Sequence, residues 1–198
     1  MIHFDRQVVA INEIKAQVDH NLFEIKPRDK DLSISLLCFL LSTIGILFKE
    51  LYGRTSLGEG ALKTEGIDIK VLPVPKYISS QTRKKLTIWF NKYKNSEILS
   101  IFTELGAEQQ DDFDIENVIP HRMELDNIIM RDVLDLTQEE QVETYKSVID
   151  VVRGRLERAK SVGKKKTIKN GLDVDSFTEN ILDKIGDNNI AIFYKKNI

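Results

Sequence analysis

One stretch limits what this chain can fold into more than any other. From Leu32 to Phe48, residues Leu32, Leu36, Leu37, Phe39, Leu40, Leu41, Ile44, Leu47 and Phe48 are apolar nearly all round a helix. A helix without a polar face is stable only when other elements cover it, so the rest of the chain has to build a core around this one. It suits a membrane poorly: 17 residues is the lower limit for a span, Ser33, Ser35, Ser42 and Thr43 interrupt it, and Lys49-Glu50 follow at once. A buried core helix is expected, with no membrane partner. Its end reads Leu51-Tyr52-Gly53-Arg54-Thr55-Ser56-Leu57-Gly58-Glu59-Gly60-Ala61-Leu62-Lys63. The three glycines permit positive φ or a close approach by another molecule, and the interleaved Arg54, Ser56 and Lys63 give the loop the chemistry to hold a phosphate. Beyond it Ile67, Ile69 and Val71 alternate with polar residues up to Pro73 and Pro75, the period of a half-buried strand that prolines terminate.

With 41% hydrophobic and 30% charged residues, the 198-residue composition is that of an ordinary globular chain. A net charge of -2 gives no global attraction to nucleic acid, so any DNA contact has to come from a local basic patch. The single cysteine, Cys38, excludes an internal disulfide and a cysteine-rich zinc site, and its place in the apolar helix points to a buried thiol. The start, Met1-Ile2-His3-Phe4-Asp5-Arg6, leads into no apolar core of a signal peptide, and a cytoplasmic location is expected.

Ile2 to Ile25 reads as short strands, with Val8, Val9 and Ile11 in one apolar patch and Val18, Leu22, Phe23 and Ile25 in another. After Pro75, Ser79-Ser80-Gln81 can cap a helix bearing Leu86, Ile88, Trp89, Phe90 and Tyr93. Its basic positions, Arg83, Lys84, Lys85, Lys92 and Lys94, are read as a solvated face. A short helix from Ile98 ends at Gly106. The carboxylates Glu108, Asp111, Asp112, Asp114 and Glu116 lack the lysine companions of a nuclease metal site and read as an acidic surface loop. Pro120 opens a helix with Leu125, Ile128, Ile129, Val133 and Leu134 on one face, and Thr137-Gln138-Glu139-Glu140 has capping-box spacing. A long helix follows with Val142, Tyr145, Val148, Ile149, Val152, Leu156 and Ala159 at intervals of three and four, so the two should form a hairpin. The basic run Arg155, Arg158, Lys164, Lys165 and Lys166 extends beyond what the helix macrodipole accounts for, and it stands as a secondary candidate patch. In the tail, Ser176 to Ile185 reads as a helix and Ile190 to Tyr194 as a strand.

An apolar helix, then Tyr52-Gly53-Arg54, Leu57-Gly58-Glu59-Gly60-Ala61-Leu62-Lys63, Asp68-Ile69-Lys70 and Leu72-Pro73-Val74-Pro75, resembles the C-terminal region of N6-adenine DNA methyltransferases of type II restriction-modification systems. Fused restriction-methylation enzymes share it. A second block adds to the resemblance in Arg122, Leu125-Asp126-Asn127-Ile128-Ile129, Leu136-Thr137-Gln138-Glu139-Glu140, Tyr145 and Arg155-Leu156-Glu157-Arg158-Ala159-Lys160-Ser161. It covers roughly residues 15 to 162 and implies the end of a target-recognition region followed by support helices. It further implies that the chain begins inside that region, with most base reading supplied from upstream or by another polypeptide.

The chemistry of methylation itself is not written here. No two prolines are adjacent, so the Asn/Asp-Pro-Pro-Tyr/Phe tetrapeptide that holds a flipped base is missing. Gly58-Glu59-Gly60 follows a helix and leads to an expected strand, the reverse of a cofactor-binding glycine turn. His3, His20 and His121 lack partners at ligand spacing, and no nucleophile elbow is present. The expectation is a chain that is non-catalytic by itself, binds no cofactor or metal, and works with a catalytic methyltransferase domain or subunit that holds S-adenosylmethionine. Its partners are double-stranded DNA, that catalytic part and a possible second copy. Arg54, Thr55, Ser56, Gly58, Gly60 and Lys63 are the expected DNA contacts. The alternative is a helical protein-interaction or oligomerisation module with no DNA contact of its own. The fold expected is α+β and predominantly α-helical: an apolar core helix, a helix hairpin and a small sheet. Residues 1-75 end a recognition-like region, 76-162 form a helical support region, and 163-198 form a basic linker, short helix and terminal strand.

Overall fold

A computed structural model describes residues 2–19, 22–55 and 60–166, with side chains for all of these but 2, 3 and 162–166. The expected tail helix and strand, Ser176 to Ile185 and Ile190 to Tyr194, lie outside the described residues, as do Ser56 and Gly58. The chain divides into two compact units, Met1–Lys160 and Ser161–Ile198. The first unit is predominantly helical with a small antiparallel sheet, the α+β class expected.

The apolar stretch is two helices rather than one. Helix α1 (Ser33–Leu41) and helix α2 (Thr43–Tyr52) meet at Ser42 with a bend of 74°. Ser42 closes both ends: its backbone is extended, its Oγ donates to the Phe39 carbonyl (2.6 Å) and accepts from the Gly45 amide (3.3 Å). The corner is so tight that a Cβ on Gly45 would lie 2.1 Å from the Phe39 carbonyl oxygen. Among the described residues no single helix is long and apolar enough to cross a membrane.

The bend lets α2 serve two cores. Ile44 joins Leu37, Cys38, Phe39 and Leu40 of α1, Leu86 and Trp89 of helix α4 (Ser80–Tyr93), and Leu125 of helix α6 (Pro120–Asp126). Ile46, one turn face away, joins Ile101 and Leu105 of helix α5 (Ile101–Leu105) and Tyr145, Val148, Ile149 and Val152 of helix α7 (Gln138–Lys166). Cys38 is fully buried, and burial pushes its thiol up to about 12, so it acts as a small apolar residue.

The hairpin of helices has the expected ends and an unexpected middle. Pro120 stands at the first turn of α6, and the Thr137 box is complete, with the Glu140 amide on Thr137 Oγ1 (3.2 Å) and the Thr137 amide on Glu140 Oε2 (2.8 Å). Between them Asn127–Val133 winds as a π-helix, so Ile129 and Met130 are buried in different cores. Asp135 then takes a left-handed conformation, φ 56°, and turns the chain into α7.

Two sequence expectations are corrected. Ile67 to Val74 is no strand: residues Gly66–Val71 form helix α3. Asp68 accepts the Glu65 amide (2.9 Å), and this first-turn cap outweighs the alternation, leaving Ile67 and Val71 exposed. The N-terminal residues are not a set of strands either. Among the described N-terminal residues only β1 (Ile2–His3) pairs, with β3 (Leu62–Lys63), which in turn pairs with β2 (Arg54–Thr55), giving the antiparallel order β1-β3-β2. From Asp5 to Asp19 and from Leu22 to Pro27 the chain is irregular. Asn12 binds both the amide and the carbonyl of Ala16 through its side chain, and Lys15 adopts φ 53°. Side-chain bonding of this kind replaces a ladder.

Candidate nucleic-acid interface

Three of the expected contact residues, Arg54, Thr55 and Lys63, sit on the paired strands of the short β2-β3 hairpin. Arg54 lies opposite Lys63 in the antiparallel register, and Thr55 beside it is exposed. Both cations reach the same carboxylate: Lys63 Nζ is 2.7 Å from Glu65 Oε1, and Arg54 Nη1 is 3.5 Å from Glu65 Oε2. Arg54 Nη2 also donates to Asp68 Oδ1 at 3.0 Å. Lys63 holds the Glu65 carboxyl below its ordinary range, with Arg54 adding to the effect. The Glu65 amide does the same for Asp68, and Arg54 again adds. Two basic and two acidic side chains thus form one charge-balanced cluster, with Arg54 and Lys63 exposed, Glu65 partly exposed and Asp68 buried beneath them. Exposed pairs such as Lys63–Glu65 contribute little, so Glu65 is the group that an anion would have to displace to reach both cations.

Gly60 has a different place from the one its loop suggested. Its φ is +73°, and a Cβ there would lie 3.0 Å from the Ala159 Cβ and 3.1 Å from the Leu156 Cα. The glycine therefore lets the hairpin base seat on α7. Arg155, expected in a solvent-facing basic patch, is instead buried beneath that seat, its side chain 2% exposed. Its guanidinium donates to the Gly60 carbonyl, to the Phe4 carbonyl (2.6 Å) and to both Glu50 oxygens (2.7 and 2.8 Å). The side chains of Lys164, Lys165 and Lys166 are outside the described residues, so the secondary patch is described only in part. Arg153 is taken up by Glu157, one helical turn on, at 2.7 Å.

A second buried polar cluster joins α1, α2, α5, α6 and α7. Arg122 donates to Glu104 and to the Leu41 carbonyl at the helix corner. Asp126 accepts from both the amide and the hydroxyl of Thr43 (2.8 and 2.7 Å). Burial works against the Arg122 charge, but Glu104 and Asp126 outweigh it and leave its pKa raised. Burial raises the Asp126 carboxyl, against the pull of Arg122 and the Thr43 bonds.

The basic face of α4 is spanned by ion pairs, Lys85 to Asp132 (2.7 Å) and Lys92 to Glu124 (2.9 Å), over a packed Trp89 whose Nε1 donates to the His121 carbonyl (2.8 Å). Among the described residues no group of histidine, cysteine and carboxylate ligands is gathered for a metal. Comparison with protein-family models, curated proteins and solved structures gave no match to this chain.

Sequence reasoning missed the acidic half of the arrangement. Glu50, Glu65 and Asp68 went unremarked as partners, although Glu65 and Asp68 stand at the spacing of a helix start and so carried a readable signal. Glu50 carried none, because its partner Arg155 is 105 residues away.

Proposed function

We propose that this chain is a non-catalytic DNA-recognition and support module of an N6-adenine DNA methyltransferase, touching the DNA backbone through the β2-β3 hairpin and docking on the catalytic part. The observation that carries this reading is the meeting of the two resembling blocks. Arg155 of the downstream block holds the carbonyl of Gly60 in the upstream one, and Asp68 holds Arg54. Arg155 and Gly60 are 95 residues apart and are each other's partners, as residues of one working unit need to be. Base flipping requires the duplex to be gripped while one nucleotide leaves the stack, and backbone contacts give that register without reading sequence. Arg54, Thr55 and Lys63, on a hairpin anchored to a 29-residue helix, suit such a grip.

The test is duplex-DNA binding at roughly 50 and 200 mM salt. Lys63→Ala should weaken binding about equally for unrelated sequences and flatten the salt dependence by about one unit of slope. Glu65→Gln should do the opposite, because it removes the carboxylate that pairs with Lys63 and leaves Arg54 with Asp68 alone. Binding that ignores both substitutions would remove the hairpin from the interface.

A protein-contact reading is favoured by one observation of its own. Phe23, Ile25, Ile67, Val71 and Val74 are exposed, and Phe23 lies against the start of α3 at Gly66. Exposed apolar side chains on and beside α3 suit a docking surface, for the catalytic part in our reading or for a second copy in the alternative. Sedimentation of the purified chain separates these: a concentration-dependent dimer supports self-association, and a monomer that binds DNA supports the first.

A further inference from the structure

Between the N-terminal segment and α1 lies a cleft of about 270 Å³ that the DNA reading leaves unused. Val9, Leu22, Phe23, Leu36, Leu40 and Leu72 contribute to its apolar wall, and Lys49 lines it from α2. Lys49 is 4% exposed, and its amine donates to the neutral Gln7 amide oxygen at 2.6 Å. Two charged groups act on it: Arg122 of α6 opposes its charge, and Glu50 of α2, which favours it, is already held by Arg155 of α7. A buried ammonium is stable only with an opposite charge beside it. Lys49 has a cavity where that charge can sit.

We propose that this cleft is a binding site for a medium-chain aliphatic carboxylate, with the tail along the apolar wall and the carboxylate paired to the Lys49 ammonium. Size sets the length of the chain. An apolar cavity of about 150 Å³ takes a benzene-sized ligand, so 270 Å³ takes about ten non-hydrogen atoms, the size of octanoate. Charge sets the head group, since Lys49 is the basic side chain among the cleft's lining residues. The site takes no residue of the β2-β3 hairpin, so it and the DNA contact can fail separately, while Phe23 and Ile25 line both the cleft and the exposed apolar face.

Binding is linked to a proton. Burial first, and then Arg122, lowers the free Lys49 amine to about 7, and a bound carboxylate raises it again. Octanoate therefore binds best below pH 7, and above it the ligand has to draw a proton onto Lys49. Affinity should fall up to tenfold per pH unit there.

The experiment is calorimetric titration of the whole chain with octanoate and, separately, with octanol, at pH 6.5 and 8.5. Expected are saturable 1:1 octanoate binding that weakens roughly 10- to 30-fold between the two pH values, and octanol binding without that loss. Lys49→Met should abolish the preference for the acid while keeping octanol. If that variant does not fold, the pH dependence of the wild-type chain decides alone. No saturable octanoate binding, or octanoate binding that matches octanol and ignores pH, overturns the proposal.

Discussion

Arg155 shows how much one residue can hold. Its guanidinium satisfies a carboxylate on α2, the carbonyl of Gly60 at the hairpin base and the carbonyl of Phe4 near the N-terminus. Arg155 and Glu50 are 2% and 3% exposed as side chains, so removing either leaves the other charge buried and alone. Arg155→Met should destabilise the chain by about 3 to 5 kcal/mol, measured by urea denaturation. Arg155→Lys should recover little of that, because a point charge cannot span three acceptors in a fork. A loss under about 1 kcal/mol would mean that the pair is solvated in solution. The residue was legible as a motif position but not as a buried one, because burial of a charge depends on a partner 105 residues away. The same limit hid Lys49, which read as the polar end of an apolar helix and is covered by Gln7, 42 residues earlier.

At the scale of elements, the local signals were readable. Ser79 accepts the Thr82 amide (3.1 Å), Ser100 the Thr103 amide (3.1 Å), and Thr137 and Glu140 cap each other. Each depends on residues within one turn, which a sequence displays directly. The helix corner was not readable, since nine apolar positions mask one serine whose extended backbone splits them. Gly45 is the residue that makes the corner possible, and it gives a paired prediction with Gly154. Gly45→Ala drives a methyl into the Phe39 carbonyl and should destabilise by about 3 kcal/mol. Gly154→Ala meets nothing within 4 Å on α7 and should stabilise by roughly 0.5 to 1 kcal/mol, from better helix propensity and a less flexible unfolded chain. Thermal melting of the two variants checks both signs. The α3 segment shows the opposite balance: a period of two across Ile67, Ile69 and Val71 read as strand, and a cap at Glu65-Asp68 decided for helix.

For the whole molecule, burial of charge makes stability depend on pH in an unusual window. Most chains lose stability in acid because paired carboxylates take up protons, and Glu65, Asp68 and Glu124, each held low by its partners, add that behaviour here. Lys49 adds a second slope. Its amine is lowered from 10.5 to about 7 in the folded chain, so between those values the unfolded chain binds a proton that the folded one does not. Stability then rises with pH across that range, and the penalty for burying Lys49 is fully present below pH 7. The Lys49 gain from pH 7 to 8.5 is on the order of 2 kcal/mol. Cys38 sets the upper bound, because burial raises its thiol from 9.0 to about 12 and stability falls once the unfolded chain ionises there, and Tyr145, raised above its ordinary value of 10, adds to that fall. Urea midpoints should therefore increase from pH 7 to 8.5 in the wild-type chain and stay nearly flat in Lys49→Met, which should also be the more stable at pH 7. A flat wild-type profile would mean that water reaches the amine. The core spanned by α2 would then be open where Lys49 enters it, and the cleft beside it would be wet.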